Sequence, residues 1–176
     1  MDEIKQAIRS IPDWPKPGIV FRDITPVLAD PRLLALVVER VAEPYKDAGV
    51  QMVAGTEARG FILAPAVALT LGAGFVPIRK AGKLPWETFK TTYELEYGTD
   101  TLEMHRDAIA PGTRVLMVDD LLATGGTMEA CCQMVEQAGG EVVACAFMVE
   151  LSFLGGRQRL APRPVYSLVD FASETE

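Results

Sequence analysis

Short apolar runs without polar alternation are the feature that most constrains the fold of this chain. They lie at residues 52–54, 75–78, 115–118, 142–149 and 165–169. Segments with helical spacing of apolar residues separate several of these runs, at about 60–71 and 128–138. Strands that are apolar on both faces need cover on both faces, which is typical of a parallel sheet. The pattern predicts an α/β fold with a central, mostly parallel sheet and helices on both faces.

Residues 80–107 interrupt this pattern with a more polar composition. Apolar and polar residues alternate over 93–97 and again over 102–105, and Gly98-Thr99-Asp100 separates the two stretches. This alternation predicts a β-hairpin with one apolar face. Long insertions in compact domains often act as lids, so we expect a flexible lid hairpin over 80–107, with Trp86 near its tip.

Composition limits the class of protein. The 176 residues fit one domain, residues 1–176, and 49% of them are hydrophobic. The net charge of −7 argues against a nucleic-acid partner, and there is no apolar run long enough for a membrane span. The N-terminal MDEIKQAIRS lacks the layout of a secretory signal, and the three cysteines have no CxxC spacing. We therefore expect a cytoplasmic protein.

An acidic pair follows the run at 115–118 directly, and a small turn, ATGGT at 123–127, leads from it into the next helix. Ligands bind beyond the carboxyl ends of parallel strands, and a helix N-terminus with glycines and hydroxyls suits a phosphate. Asp119 and Asp120 would repel that phosphate, so we expect them to bind another part of the ligand, such as sugar hydroxyls. A ribose 5-phosphate fits. The alternative is a structural strand end with exposed acids, which the glycines and threonines disfavour.

The stretch VLMVDDLLATGGT resembles the phosphoribosyl pyrophosphate (PRPP) signature of type I phosphoribosyltransferases. PGIVFRDITPVL, EARGF, IRKAGKLP and YELEYG are similar to stretches of the adenine phosphoribosyltransferase family and come in the family's order. The resemblance implies that family's fold, with an N-terminal hood over 1–30 that binds the base. It also implies the transfer of adenine to PRPP, giving AMP and diphosphate. Magnesium would be bound mainly through PRPP and diphosphate, with no metal site on the protein, in a cytoplasmic homodimer.

The resemblance further implies roles for individual residues. Asp119 and Asp120 would face the ribose hydroxyls and, with Glu96, would serve catalysis. Tyr97 would arrive with Glu96 on the lid. Arg59, Arg79, Lys80 and Lys83 would contact the pyrophosphate, and Val20, Phe21 and Arg22 would form the adenine pocket, with Phe21 as the stacking ring. The 5-phosphate would be held by Ala123, Thr124, Gly125, Gly126 and Thr127, and Leu121 would also contact the substrate.

Alternatives to this function remain open from the sequence alone. Some proteins with this fold bind PRPP or purines as regulators and do no chemistry, and related transferases use hypoxanthine, guanine or xanthine. A backbone C=O and N–H near Val20 and Arg22 would suit adenine and leave polar groups unpaired with a 6-oxopurine. A basic cluster, Arg157, Arg159 and Arg163, is expected to be a solvated surface.

Overall fold

Strands dominate the centre of the structure, a computed structural model that describes residues 2–94 and 99–174. The strands are β1 (Arg9–Ile11), β2 (Phe21–Asp23), β3 (Met52–Thr56), β4 (Gly74–Lys80), β5 (Thr88–Glu94), β6 (Thr99–His105), β7 (Arg114–Leu122), β8 (Glu141–Leu151) and β9 (Val165–Phe171). The first two pair in a small antiparallel sheet, and the others form one sheet in the order β5-β6-β4-β3-β7-β8-β9.

Helices flank this sheet on both faces. They are α1 (Asp2–Ala7), α2 (Thr25–Ala29), α3 (Pro31–Ala42), α4 (Gly60–Leu71), α5 (Gly126–Gln137) and α6 (Gly156–Leu160). Two short 3-10 turns cover Glu43–Tyr45 and Ser152–Leu154. None of the helices in the described ranges is long and apolar enough to cross a membrane.

Burial of the central strands on both faces explains their apolar sequence. The strands β4, β3, β7, β8 and β9 run parallel to one another. Residues 115–118 of β7 are fully buried. Leu116 and Val118 pack into a core with residues of α3 and α4, whereas Val115 and Met117 pack with residues of α5. The predicted α/β architecture, with a mostly parallel sheet covered on both faces, is confirmed.

Local signals set the helix boundaries. The Asp30 carboxylate accepts hydrogen bonds from the backbone N–H groups of Arg32 and Leu33, at 2.8 and 3.2 Å, and so caps α3. The helix ends at Ala42, two residues before Pro44, which has no N–H to continue it. The helix α4 has the predicted bounds, whereas α5 begins two residues earlier than the spacing indicated.

The hairpin differs from its predicted register. Strand β5 pairs antiparallel with β6 from Thr88 opposite His105 to Glu94 opposite Thr99, so Thr99 and Asp100 belong to a strand and not to the turn. The connecting residues 95–98 lie outside the described residues. Alternation of side chains indicated two strands but did not locate the turn, because a period of two fits any length of pairing.

The root of the hairpin is joined to the main sheet. Strand β6 pairs antiparallel with β4, with Arg79 opposite Glu103, so the hairpin extends one edge of the sheet. Trp86 precedes β5 at this root, at the opposite end of the strand from Glu94, and is 67% exposed. The prediction that Trp86 lies near the lid tip is therefore wrong.

Candidate active site

The acidic pair lies at the carboxyl end of β7. Asp120 is buried, and its carboxylate forms an ion pair with Arg59, whose Nε lies 2.9 Å from Oδ2. Asp119 is half-buried, and its Oδ1 accepts a hydrogen bond from the backbone N–H of Asp120 at 2.9 Å. Gly60 begins α4 beside this carboxylate, and a β-carbon there would lie 2.9 Å from the Asp119 Oδ1. Only glycine therefore lets this helix begin so close to the pair.

Burial raises the pKa of the Asp119 carboxyl well above its ordinary value, and the charge of the adjacent Asp120 raises it further. The hydrogen bond from the Asp120 N–H opposes this rise without cancelling it. A carboxyl with a raised pKa is disposed to interact with hydrogen-bond donors or positive charge that a ligand brings. A strand end that served only structure would gain nothing from this arrangement.

The predicted phosphate cradle, the turn that is expected to bind the 5-phosphate, follows the acidic pair directly and lines a cavity. A cavity of about 220 Å³ is lined by Arg59 and by the consecutive residues 119–128. Gly125, just before α5, has φ +82°, and a β-carbon on it would lie 2.9 Å from the backbone oxygen of Gly156. No side chain of the described chain caps α5, so its N-terminal N–H groups and dipole are directed to this cavity.

The basic residues predicted to bind pyrophosphate are all held by acidic side chains. The pairs are Arg59–Asp120 at 2.9 Å, Arg79–Glu57 at 2.7 Å, Lys83–Glu57 at 3.2 Å and Lys80–Asp100 at 3.1 Å. Burial would raise the pKa of Glu57, but hydrogen bonds from Arg79 and Lys83 outweigh it and lower the pKa. Glu57 is thus a shared anchor for these cations, which sequence reasoning missed although it precedes Arg59 in EARG.

A second, more apolar cavity of about 260 Å³ adjoins the cradle. Its lining includes the three residues predicted for the base, together with side chains from the other end of the chain: Ile19, Val20, Phe21, Arg22, Arg59, Leu121, Ala123, Leu151, Leu154 and Glu174. Phe21 packs edge-on against Trp14 with ring centroids 4.4 Å apart. The Arg59 guanidinium lies 5.7 Å from the Phe21 ring. This cavity suits a flat aromatic ligand.

The side chain of Arg22 is directed to the C-terminal segment. Arg22 is buried, and its guanidinium lies 4.0 Å from the ring centroid of Phe171. It donates hydrogen bonds to Ser10 Oγ at 2.6 Å and to the Glu174 carbonyl at 3.0 Å. The side chain therefore joins the N-terminal hood to the chain end, a structural role that the sequence did not indicate.

The predicted lid residues Glu96 and Tyr97 lie outside the described residues. A different hairpin residue contacts the cradle, because the Thr127 hydroxyl donates a hydrogen bond to the Tyr93 hydroxyl at 3.3 Å. Burial raises the pKa of Tyr93, so this hydroxyl stays protonated near neutral pH. The hairpin is therefore in direct contact with the N-terminus of α5.

The basic cluster near the chain end was predicted to be a solvated surface. The structure instead shows its three arginines in ion pairs. Each arginine is paired with a glutamate from another element: Arg157 with Glu150, Arg159 with Glu129 and Arg163 with Glu136. Glu150 is buried, and Arg157 and Ser167 both donate to it. These pairs hold α6 against the cradle, where Gly156 contacts the turn at Gly125.

The part of the chain that the structure describes contains no group of three or more His, Cys, Asp or Glu residues arranged to hold a metal ion. The acidic pair supplies only two carboxylates, and Arg59 occupies one of them. Any divalent ion here would need most of its ligands from a bound substrate.

The two cavities share Arg59, Leu121 and Ala123 in their walls. The predicted phosphate cradle, the acidic pair and the apolar cavity therefore lie side by side at the carboxyl edge of the sheet. This arrangement on this fold is typical of the type I phosphoribosyltransferase class.

Comparisons with known proteins agree. The family model of the phosphoribosyl transferase domain matches residues 27–169. The adenine phosphoribosyltransferase of Escherichia coli O157:H7 is 56% identical over 173 residues, 97% of this chain and 94% of the relative. The crystal structure of the Rhodothermus marinus enzyme of that name has a TM-score of 0.91 at 56% identity and covers 97% of both chains. The Saccharomyces cerevisiae enzyme, complexed with an imino-altritol bisphosphate and adenine, has a TM-score of 0.89 at 41% identity and covers 94% of this chain and 96% of that chain.

This chain belongs to the adenine phosphoribosyltransferase family. It is a transferase of purine salvage that joins adenine to PRPP, giving AMP and diphosphate. The family, fold and reaction predicted from the sequence are confirmed.

Proposed function

We propose that the two adjoining cavities are the substrate sites of this transferase, with PRPP in the cradle and adenine in the apolar cavity. The observation that carries the proposal is their shared wall of Arg59, Leu121 and Ala123. A nucleotide has a phosphate at one end and a flat base at the other, and this pair of cavities matches that shape. The complex of the Saccharomyces cerevisiae relative with a bisphosphate and adenine supports the proposal.

The 5-phosphate is held by the turn at 123–127, with Leu121 in the wall beside it. The backbone N–H groups at the start of α5 and the hydroxyls of Thr124 and Thr127 supply the donors. The hydrogen bond between Thr127 and Tyr93 means that phosphate binding also changes the surroundings of the hairpin. In this proposal the single domain includes a hood over 1–30, which binds the base, and a lid over 80–107.

The diphosphate of PRPP replaces the acidic partners of Arg59, Arg79, Lys80 and Lys83. Each of these cations is half-exposed in its present ion pair, so the exchange needs side-chain rotation and little desolvation. Arg79 belongs to this set, and in a homodimer it would act close to the subunit boundary.

Members of the family generally use magnesium with PRPP. The ion would be held through PRPP and diphosphate, with the acidic pair nearby, and would neutralise charge on the leaving group.

Release of Arg59 has a second consequence for the acidic pair. When the guanidinium turns to the diphosphate, the buried Asp120 carboxylate loses its partner and becomes available to the ribose hydroxyls. Positive charge develops on the ribose as the diphosphate leaves, and the negative charge of the pair stabilises it. The step that binds the leaving group thus also exposes the charge that favours its departure.

The lid completes the site. Glu96 takes the proton that the purine loses or orients the group that does so, and Tyr97 accompanies it. Closure excludes water from a centre that water would otherwise attack.

One assay separates this function from its alternatives. The protein is incubated with PRPP, magnesium and each of adenine, hypoxanthine, guanine and xanthine, and both diphosphate and nucleotide are measured. We expect product with adenine. Product with a 6-oxopurine alone would indicate a different transferase, and absence of product with every base would indicate a regulator.

A further inference from the structure

We propose that Glu174, near the C-terminus, is a specificity-determining residue that binds the 6-amino group of adenine. Its carboxylate lies in the wall of the apolar cavity, where Oε2 accepts a hydrogen bond from the backbone N–H of Val20 at 3.1 Å. These residues lie 154 positions apart in the sequence. The inference rests on the proposed position of the base and adds a side chain that neither the motifs nor the family resemblance indicated.

The segment that carries Glu174 is held firmly against the hood. The buried Arg22 donates hydrogen bonds to the carbonyl oxygens of Ser173 and Glu174, at 3.3 and 3.0 Å. The ring of Phe171 stacks against the same guanidinium, and Lys5 lies 4.7 Å from that ring on the hood side. Arg22 thereby fixes the path of the chain end where it passes the cavity. The carboxylate position follows from this clamp.

The carboxylate adds a side-chain acceptor to the backbone C=O and N–H near Val20 and Arg22 that are expected to recognise adenine. Within the described part of the chain, the other side chains that line the cavity are aliphatic, aromatic or arginine, and arginine has no acceptor. Glu174 is therefore the side chain there that accepts hydrogen bonds. Its Oε2 is used by the Val20 N–H, which leaves Oε1 for a donor on the ligand.

Adenine supplies such a donor, because its 6-amino group has two N–H bonds. Hypoxanthine, guanine and xanthine present a carbonyl oxygen at the same position, and two acceptors repel each other at hydrogen-bond distance. The carboxylate thus favours adenine and disfavours 6-oxopurines with one interaction. A mismatch of this kind usually changes selectivity by roughly tenfold to a hundredfold.

The test compares Glu174→Ala and Glu174→Gln with the parent and with Glu39→Gln, a matched loss of charge on the exposed face of α3. The readouts are kcat/KM for adenine at saturating PRPP, the inhibition constant of hypoxanthine against adenine, and the KM for PRPP. We expect Glu174→Ala to lower the preference for adenine over hypoxanthine roughly tenfold. Glu174→Gln should lower it further, because its amide N–H suits a carbonyl oxygen. The KM for PRPP and all constants of Glu39→Gln should stay unchanged.

Two results would overturn the proposal. An unchanged adenine-to-hypoxanthine preference in both variants would show that the carboxylate does not contact the 6-position. An equal gain in affinity for both bases would show that Glu174 merely blocks the Val20 N–H.

The variant Phe21→Ala tests the base pocket separately. If it leaves the KM for adenine unchanged, the pocket itself is misplaced and both ideas fall. If Phe21→Ala raises the KM for adenine while the Glu174 variants keep the parent's preference for adenine over hypoxanthine, only the proposed role of Glu174 is wrong.

Discussion

The phosphate cradle and the base pocket are built in opposite ways. The cradle is one uninterrupted stretch, residues 119–128, in which a strand, a turn and a helix N-terminus follow one another. The base pocket collects side chains from the hood, from β7, from the end of β8 and from the chain terminus. Backbone geometry forms the first, whereas contacts between distant segments form the second. Changes in the cradle should therefore act through local conformation, and changes in the base pocket through long-range contacts.

The largest effect is expected for Gly125→Val in the cradle. The residue has φ +82°, and its β-carbon would meet the Gly156 carbonyl oxygen at 2.9 Å. A branched side chain there must displace the turn, so we expect PRPP affinity to fall at least roughly 100-fold. Isothermal calorimetry with PRPP measures this loss, and circular dichroism checks that the fold persists.

Gly112→Val is the matched control for this substitution. Gly112 has φ +81° and no heavy atom within 4 Å of its β-carbon position, so it carries the same backbone strain away from the site. We expect its PRPP affinity to equal that of the parent. An unchanged PRPP affinity in Gly125→Val, or an equal loss of affinity in both variants, would contradict the proposal that this turn binds the 5-phosphate.

The next effect concerns the acidic pair, through which the two regions are coupled. Arg59 lines both cavities and binds Asp120. Asp120→Asn keeps the size of the side chain and removes its charge, so we expect kcat to fall roughly 100-fold while affinity for ribose 5-phosphate changes little. Steady-state rates and calorimetry separate the two, with the exposed Asp47→Asn as control. Equal losses in rate and affinity would indicate a structural role for Asp120.

A smaller effect, confined to the base pocket, is expected for Arg22→Met. The substitution keeps an apolar stem but removes the hydrogen bonds to Ser10 and to the chain end. We expect the KM for adenine to rise roughly tenfold, about 1.4 kcal/mol, while the KM for PRPP stays constant. The control is Arg32→Met on the exposed face of α3. A parallel rise in the KM for PRPP would show that the two regions are not independent.

The contrast between the regions also explains what the sequence predicted. The bounds of α4 were predicted correctly because glycines and apolar spacing mark them within a short window, and the prediction of the cradle depends on the same kind of local signal. Glu57 and Glu174 were missed because their roles depend on partners at distant positions. The strands β1 and β2 have three residues each, too few to show a period. The family resemblance indicated Phe21 and Arg22, but not that the Arg22 guanidinium holds the chain end.

The smallest effect is a change in stability at the junction of the two regions. Burial and the charge of Asp120 raise the pKa of Asp119 above its ordinary value of 3.8, so the folded state binds this proton more tightly than the unfolded state. The folded protein therefore loses stability as the pH rises from about 4 through the raised pKa, and the penalty is complete above it. Asp119→Asn removes this penalty and keeps an oxygen that accepts from the Asp120 N–H.

We accordingly expect Asp119→Asn to raise Tm by roughly 2–4 °C at pH 8, which corresponds to about 1 kcal/mol for a chain of this size. Near pH 3 the two proteins should melt at the same temperature, because the side chain at position 119 is then uncharged in both the folded and the unfolded states of each protein. Differential scanning calorimetry across this range measures the difference, and Asp47→Asn, on an exposed residue, should show no gain at either pH. A lower Tm for Asp119→Asn at pH 8 would mean that the charged carboxylate stabilises the fold. In that case the negative charge of Asp119 would already be stabilised by the folded protein before the ribose binds.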